Sequence, residues 1–159
     1  MKLYYTPGAC SLAVHITLCE SGLPFEKESV DLATKKTASG ADFTTINAKG
    51  YIPALQLDSG ELLTEGPAIN QYLADLVPEK KLAPANGTLD RVRLQSWLTY
   101  IGTELHKSFT PLFHPSSDDV KAQAKENIAK RLGYVNQQLA GKQYLVGEQF
   151  SIADAYLFT

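Results

Sequence analysis

The pattern of the chain changes once, and that change limits the fold more than any other feature. Up to Val77, short strand-like and helix-like segments alternate; beyond Thr88, every periodic segment repeats at helical spacing. Residues 78–88, between these parts, carry Pro78, Pro84 and Gly87 with three charged side chains. That composition reads as a linker joining a domain at 1–77 to a helical domain at 89–159.

In the first part, Met1 to Tyr5 read as a strand and Pro7-Gly8 as a turn. A helix then starts at once, with Leu12, Ala13, Ile16 and Cys19 on its inward face. Gly22-Leu23-Pro24 stops it through a left-handed glycine cap followed by proline. Phe25 to Val30 is a weak strand, and Asp31 to Asp42 is a polar loop holding Lys35 and Lys36. One helical turn fits Asp42 to Asn47, before Gly50-Tyr51-Ile52-Pro53 breaks the chain. Ala54–Leu57 and Leu62–Thr64 then form a hairpin around Gly60. Pro67 suits the first turn of the next helix, whose apolar side is Ala68, Ile69, Tyr72, Leu73 and Leu76, and Pro78 stops it. The order β-α-β-α-β-β-α predicts a four-stranded mixed sheet flanked by helices, the layout of a thioredoxin-like domain, followed by a separate helical domain. In that second domain Leu94, Trp97, Leu98, Ile101 and Leu105 make one apolar face. Val120, Ala124, Ile128, Leu132, Val135 and Leu139 make a longer one. Ser151 and Asp154 have the spacing of a capping box.

Charge excludes some partners. With a net charge of −2, a pI near 5.9 and no basic cluster interleaved with aromatics, neither nucleic acid nor an anionic membrane is an expected partner. No apolar run approaches the roughly 20 residues of a membrane span, and no secretory leader pattern opens the chain, so the cytoplasm is the expected compartment. Two cysteines fit a reducing environment. Nine positions apart on one helix, Cys10 and Cys19 lie about 13.5 Å from each other, too far for a disulfide.

Cys10 falls at the start of the first helix, where free backbone N–H groups and the helix dipole favour thiolate over thiol. Position alone leaves two readings, a reactive thiol or a small buried apolar residue. His15 and Cys19, four residues apart, have a metal-compatible spacing but no further ligand nearby, so no metal is expected.

Five segments in order carry a resemblance over essentially the whole chain. They are Met1-Lys2-Leu3-Tyr4-Tyr5 with Pro7-Gly8-Ala9-Cys10-Ser11, Gly50 to Leu55, Leu63 to Ile69, Glu104-Leu105-His106-Lys107, and Phe150 to Tyr156. Through them the sequence resembles bacterial cytosolic glutathione transferases of the beta class. The resemblance implies glutathione as co-substrate, lying along the first domain. Pro53 would be cis, with the Ile52 N–H and C=O pairing with the cysteinyl part of the tripeptide. Glu65 would accept from its ammonium, the Gly66 N–H would hold the γ-glutamyl carboxylate, and Lys35 would meet the glycyl carboxylate. Cys10 would lie against the bound sulfur and His106 would face Cys10 from the helical domain, while Tyr5, Tyr51, Thr99, Glu104 and Lys107 would complete the binding residues. Thr99 stands where many relatives have asparagine. A hydrophobic electrophile would enter beside His106, Phe109 and Phe113, and the chain would form a homodimer.

Two other activities fit the same residues: a monothiol disulfide oxidoreductase acting through Cys10, and a non-catalytic ligand-binding protein of the same fold. Relatives also continue beyond the Asp154 helix, so the resemblance implies that further C-terminal residues complete the helical domain. It leaves the side of Ala155, Tyr156 and Phe158 expected to lack cover.

Overall fold

A computed structural model describes Met1–Thr159. The sheet has five strands in the order β3-β2-β1-β4-β5, not four. The central strand β1 (Lys2–Tyr5) runs parallel to β2 (Glu26–Asp31) and antiparallel to β4 (Ala54–Gln56), which pairs in turn with β5 (Leu62–Thr64). The extra strand, β3 (Lys36–Thr37), lies within the stretch expected to be a loop. It is two residues long and held to the edge of β2, too short to leave a periodic signal.

Alternation along β1 divides the first domain into two cores. Leu3 and Leu55 face α1 (Ser11–Ser21) and α3 (Gly66–Leu76), meeting Val14, Leu18, Ile69 and Leu73. Tyr4 and Ala54 face the opposite way and pack with Val30, Ile52 and Phe43 of the single turn α2 (Phe43–Ile46). The buried side of α1 differs from the expected one. Ala13, Val14, Thr17, Leu18 and Ser21 point inward, whereas Leu12 and Cys19 are exposed. The polar members explain the difference, since Thr17 and Ser21 bury hydroxyls that donate to the Ala13 and Leu18 carbonyls one turn back. On α3, Ile69, Asn70, Leu73 and Ala74 are buried, while Tyr72 and Leu76 are open.

A third core joins the two domains. Ala13, Ala74 and Val77 pack with Leu94, Leu98 and Ile101 and with Ile152, Ala153 and Tyr156 of α7 (Ile152–Phe158). The helical domain consists of α4 (Leu89–Tyr100), a π-helical turn at Ile101–His106, α5 (Thr110–Phe113), α6 (Asp118–Gln138) and α7. The long apolar face of α6 is buried only at Ala124, Ile128 and Val135; Val120 and Leu132 stay exposed.

The segment between the domains is tied down. After a 3-10 turn at Pro78–Lys80, the Leu82 carbonyl accepts from the Ile152 N–H at 3.0 Å. Arg91, almost fully buried, donates to both carboxylate oxygens of Asp75 at 2.8 and 2.7 Å and to the Pro84 carbonyl at 2.9 Å, clamping α3 to α4. The Ser151–Asp154 capping box forms, and Asp154 also accepts from the Leu145 N–H at 2.8 Å. Ala155 and Tyr156, expected to be uncovered, are buried because α7 docks on α1, α3 and α4; Phe158 alone of the three stands open.

Candidate functional site

Cys10 is the N-cap residue of α1, and its thiol donates to the Ile52 carbonyl at 3.6 Å. The expected acidification is reversed. Burial pushes the Cys10 thiol up, opposed by the N–H groups of Cys10 and Ser11 and by the Lys107 cation, with the Glu65 charge adding to the rise. Desolvation disfavours the thiolate more strongly than the helix start favours it.

Next to Ile52 the chain passes through a cis bond to Pro53. The Ile52 N–H has no acceptor within the chain. Gly66 opens α3 close to this proline; a Cβ there would stand 3.5 Å from Pro53 Cγ. Glu65, with φ +68, holds its side chain out from the helix start, where Lys49 Nζ donates to it at 2.7 Å and to Thr64 Oγ1 at 3.0 Å. Lys35 Nζ donates to the Gly50 carbonyl at 3.0 Å and lies 6.0 Å from the centre of the exposed Tyr51 ring. Cys10, Lys35, Tyr51, Ile52, Pro53, Glu65 and Gly66 are thereby gathered along one edge of the first domain. Tyr5 is turned elsewhere, its ring packing near His15 with Lys27 Nζ 5.6 Å from its centre.

The opposite wall comes from the helical domain. Its shape begins with the π turn, whose extra residue per turn widens the helix and resets the direction of the chain beyond it. Gly102 in this turn leaves room for the hydroxyl of Tyr156, to which an added Cβ would come within 3.5 Å. His106 closes the turn, and its Nδ1 lies 2.8 Å from the Tyr156 hydroxyl, with the two rings edge to face at 5.9 Å. Burial, then the neighbouring charges of Cys10 and Glu65, push the Tyr156 hydroxyl up to about 12. Burial, then the adjacent Lys107 cation, pull the His106 imidazole down. Across the two walls the charges of Lys107 and Glu65 act on Cys10, those of Cys10 and Glu65 on Tyr156, and that of Lys107 on His106. No hydrogen bond joins Cys10 to His106; the imidazole is engaged by Tyr156 instead.

Thr99 and Glu104 are not drawn into this group within the chain. The Thr99 hydroxyl donates to the Gln95 carbonyl, and Glu104 accepts from Arg131 of α6 at 3.0 Å. Glu104, Arg131 and Lys107 also line an open pocket of 390 Å³ with Thr103, Gln123 and Asn127. Phe109 is half-buried and Phe113 exposed beyond His106. His15 packs edge to face on Phe25, and no group of three His, Cys, Asp or Glu side chains is placed to hold a metal ion.

Sequence reasoning does not assign Tyr156 or Lys49 to the site. Tyr156 falls in the capped last helix, on the side expected to lack cover; its ring is buried instead, and its hydroxyl is turned to His106. Nothing in the local sequence marks Lys49.

Comparison with known proteins agrees along the whole chain. The sequence profile of the glutathione S-transferase N-terminal domain matches residues 8–76, and that of the glutathione S-transferase C-terminal domain matches residues 100–159. Glutathione S-transferase GstA of Escherichia coli O157:H7 is 52% identical over 160 residues, covering 100% of this chain and 80% of its own. Among solved structures, a ternary complex of BphK, a bacterial transferase of this kind, superposes with a TM-score of 0.97 at 60% identity, over 99% of this chain and 80% of its own. A beta-class glutathione S-transferase from Sphingomonas chungbukensis gives 0.96 at 52%, over 99% and 79%. A sphingomonad glutathione S-transferase complexed with glutathione gives 0.96 at 53%, over the same shares.

Proposed function

This chain belongs to the glutathione S-transferase family, and from that membership we propose that it binds reduced glutathione along the edge of its first domain and presents the tripeptide's thiolate to a hydrophobic electrophile. The observation that carries the reading is the pairing of Cys10 Sγ with the Ile52 carbonyl at 3.6 Å, beside an Ile52 N–H that has no partner in the chain. An extended peptide laid against Ile52 would use both backbone groups as a short antiparallel ladder, and its cysteinyl sulfur would come to the helix start beside Cys10.

The other roles follow from charge. Glutathione carries two carboxylates and one ammonium. Glu65 supplies the anion for the ammonium, the N–H of Gly66 at the start of α3 receives the γ-glutamyl carboxylate, and Lys35 reaches the glycyl carboxylate. Lys49, already on Glu65, must share or release it when the ammonium arrives. On the other wall Lys107 and His106 favour negative charge on sulfur, and the electrophile lies beside Phe109 and Phe113. The domains are taken as 1–77 and 89–159, since Pro78 follows the end of α3 and Leu89 begins α4.

A homodimer belongs to the same proposal. Tyr72 and Leu76 on α3 and Val92 on α4 are exposed apolar side chains on two helices that a Gln71–Gln95 hydrogen bond holds together. Residence in the cytoplasm is supported by two free cysteines, and no helix is long and apolar enough to cross a membrane.

Calorimetric titration with glutathione, together with turnover of an activated aryl halide, tests the reading. Saturable binding with conjugate formation is expected, and absence of both overturns it. A Cys10→Ala variant separates the oxidoreductase alternative. Loss of disulfide exchange with conjugation retained supports transfer; a wild-type chain that exchanges disulfides but forms no conjugate favours the monothiol activity.

A further inference from the structure

We propose that the Tyr156 hydroxyl donates to His106 Nδ1 and so fixes the neutral imidazole with its hydrogen on Nε2, which makes His106 a hydrogen-bond donor to a sulfur anion and not a base. Tyr156 is then a positioning residue that acts through His106. The tautomer follows from contacts within the chain; only its use on a glutathione sulfur rests on the transferase reading.

Tyr156 is 8% exposed, and its hydroxyl has a single hydrogen-bond partner in the chain, His106 Nδ1 at 2.8 Å. A phenol carries one hydrogen to donate, and a buried donor left without an acceptor is costly. With the imidazole hydrogen on Nδ1, that nitrogen would donate to the phenol oxygen and the phenol hydrogen would have no acceptor. With the hydrogen on Nε2, Nδ1 offers a lone pair and one contact satisfies both groups. The bond made by one ring nitrogen thereby sets the state of the other.

Both partners of this contact are held in place by the fold. The Tyr156 ring packs in the interdomain core with Leu98 and with Ile101, which opens the π turn, while His106 closes that turn. Gly102 leaves the hydroxyl its room, and the two rings meet edge to face at 5.9 Å. On its other side the imidazole is free: His106 is exposed and its Nε2 makes no hydrogen bond in the chain. Charge agrees with this arrangement. Burial, then Cys10 and Glu65, push the phenol up to about 12, so its proton stays on oxygen. Burial and the adjacent Lys107 cation pull the imidazole down, so it stays neutral. Lys107 supplies the positive charge of this wall, and His106 a neutral N–H.

The tautomer can be read directly by nuclear magnetic resonance. The chain holds three histidines, and a His15→Gln, His114→Gln background labelled with nitrogen-15 histidine leaves His106 alone. At about pH 8, above the ordinary imidazole value, two-bond correlations from the ring C–H groups should place the hydrogen on Nε2; a hydrogen on Nδ1 overturns the proposal. Tyr156→Phe keeps the ring that fills the core, and thermal unfolding checks that the fold is held. In it the Nδ1 resonance should move downfield, as an acceptor nitrogen does on losing its donor, and an unmoved resonance overturns the contact. The use of the N–H is tested by titrating the ultraviolet thiolate absorbance of bound glutathione. His106→Ala should raise the apparent pKa of that thiol by about half a unit, a threefold loss of thiolate at fixed pH. His106→Gln supplies a neutral N–H near the place of Nε2 but cannot take up a proton, so it should recover at least half of that loss. No recovery by glutamine overturns the donor role. Failure of the wild-type chain to bind glutathione by calorimetry would instead overturn the transferase reading, while the resonance data still decide the tautomer.

Discussion

The two walls of the cleft are built on different principles. The first-domain wall is mostly backbone: the Ile52 N–H and C=O, the start of α1 at Cys10 and the start of α3 at Gly66. The helical wall is side chain, with Lys107, His106 and Tyr156 brought together by a π turn and by the docking of α7. Backbone groups are fixed once a helix begins and a strand pairs, so they tolerate change in their surroundings. Side chains from distant elements hold their places only while the elements stay docked. The first wall should therefore be robust and the second conditional.

The strongest way to break that contrast is to loosen the clamp between the domains. Asp75→Ala leaves the Arg91 guanidinium buried without its carboxylate and should lower the unfolding free energy by about 3 kcal/mol in urea. The helical wall should suffer first, read as a changed Cys10 alkylation profile below the unfolding transition; equal loss of glutathione affinity there would erase the distinction. The same pair sets an acid limit. Hydrogen bonding from Arg91 holds the Asp75 carboxyl below its ordinary value, so its stabilisation is complete above about pH 4 and fades as pH falls toward the lower native value. In Asp75→Asn that part of the acid dependence should vanish from denaturation curves taken at stepped pH.

A smaller effect tests the one charged side chain proposed for the first wall's ammonium. Glu65→Gln removes the anion offered to that group and should weaken glutathione binding by about thirtyfold in calorimetry, with the melting temperature nearly unchanged. A loss of only twofold would leave the backbone groups as the main part of that wall. Smaller again, Asn70 on α3 is fully buried with neither side-chain nitrogen nor oxygen partnered. Asn70→Leu should therefore stabilise the chain by about 1 kcal/mol without altering the cleft. The smallest change is expected for Lys49→Ala. Its ion pair with Glu65 is solvent-exposed, so affinity should move by less than about threefold, and the sign reports whether Lys49 competes with the ammonium or assists it.

Much of this is legible in the linear order of residues. Pro7-Gly8 before a helix places Cys10 at a cap, Gly22 marks the end of that helix, and Pro67 and Pro78 bracket α3. Each is a local rule about which dihedral angles or donors a residue allows. The failures are equally specific. Hydrophobicity alone points to Leu12 and Cys19 as inward residues of α1, yet Thr17 and Ser21 satisfy their own hydroxyls and take buried places there. The acidity expected of Cys10 does not hold, because a helix start is visible in sequence and desolvation is not. Tyr5, Thr99 and Glu104 are a separate case, implied as binding residues by the resemblance and not by local pattern; within this chain they contact His15, Gln95 and Arg131 respectively.

Local sequence sets the order of elements other than β3, the caps and breaks that separate them, and the helix starts at Cys10 and Gly66. All of these depend on short-range sterics and hydrogen bonding, which act between residues a few positions apart. The packing of distant elements is what turns the hydroxyl of Tyr156, 146 positions after Cys10 in the chain, to His106. It likewise decided that Lys49 meets Glu65 and that Asp75 locks Arg91. Such pairings depend on where packed helices come to rest, and the packing of α7 against α1, α3 and α4 is a property of the whole core.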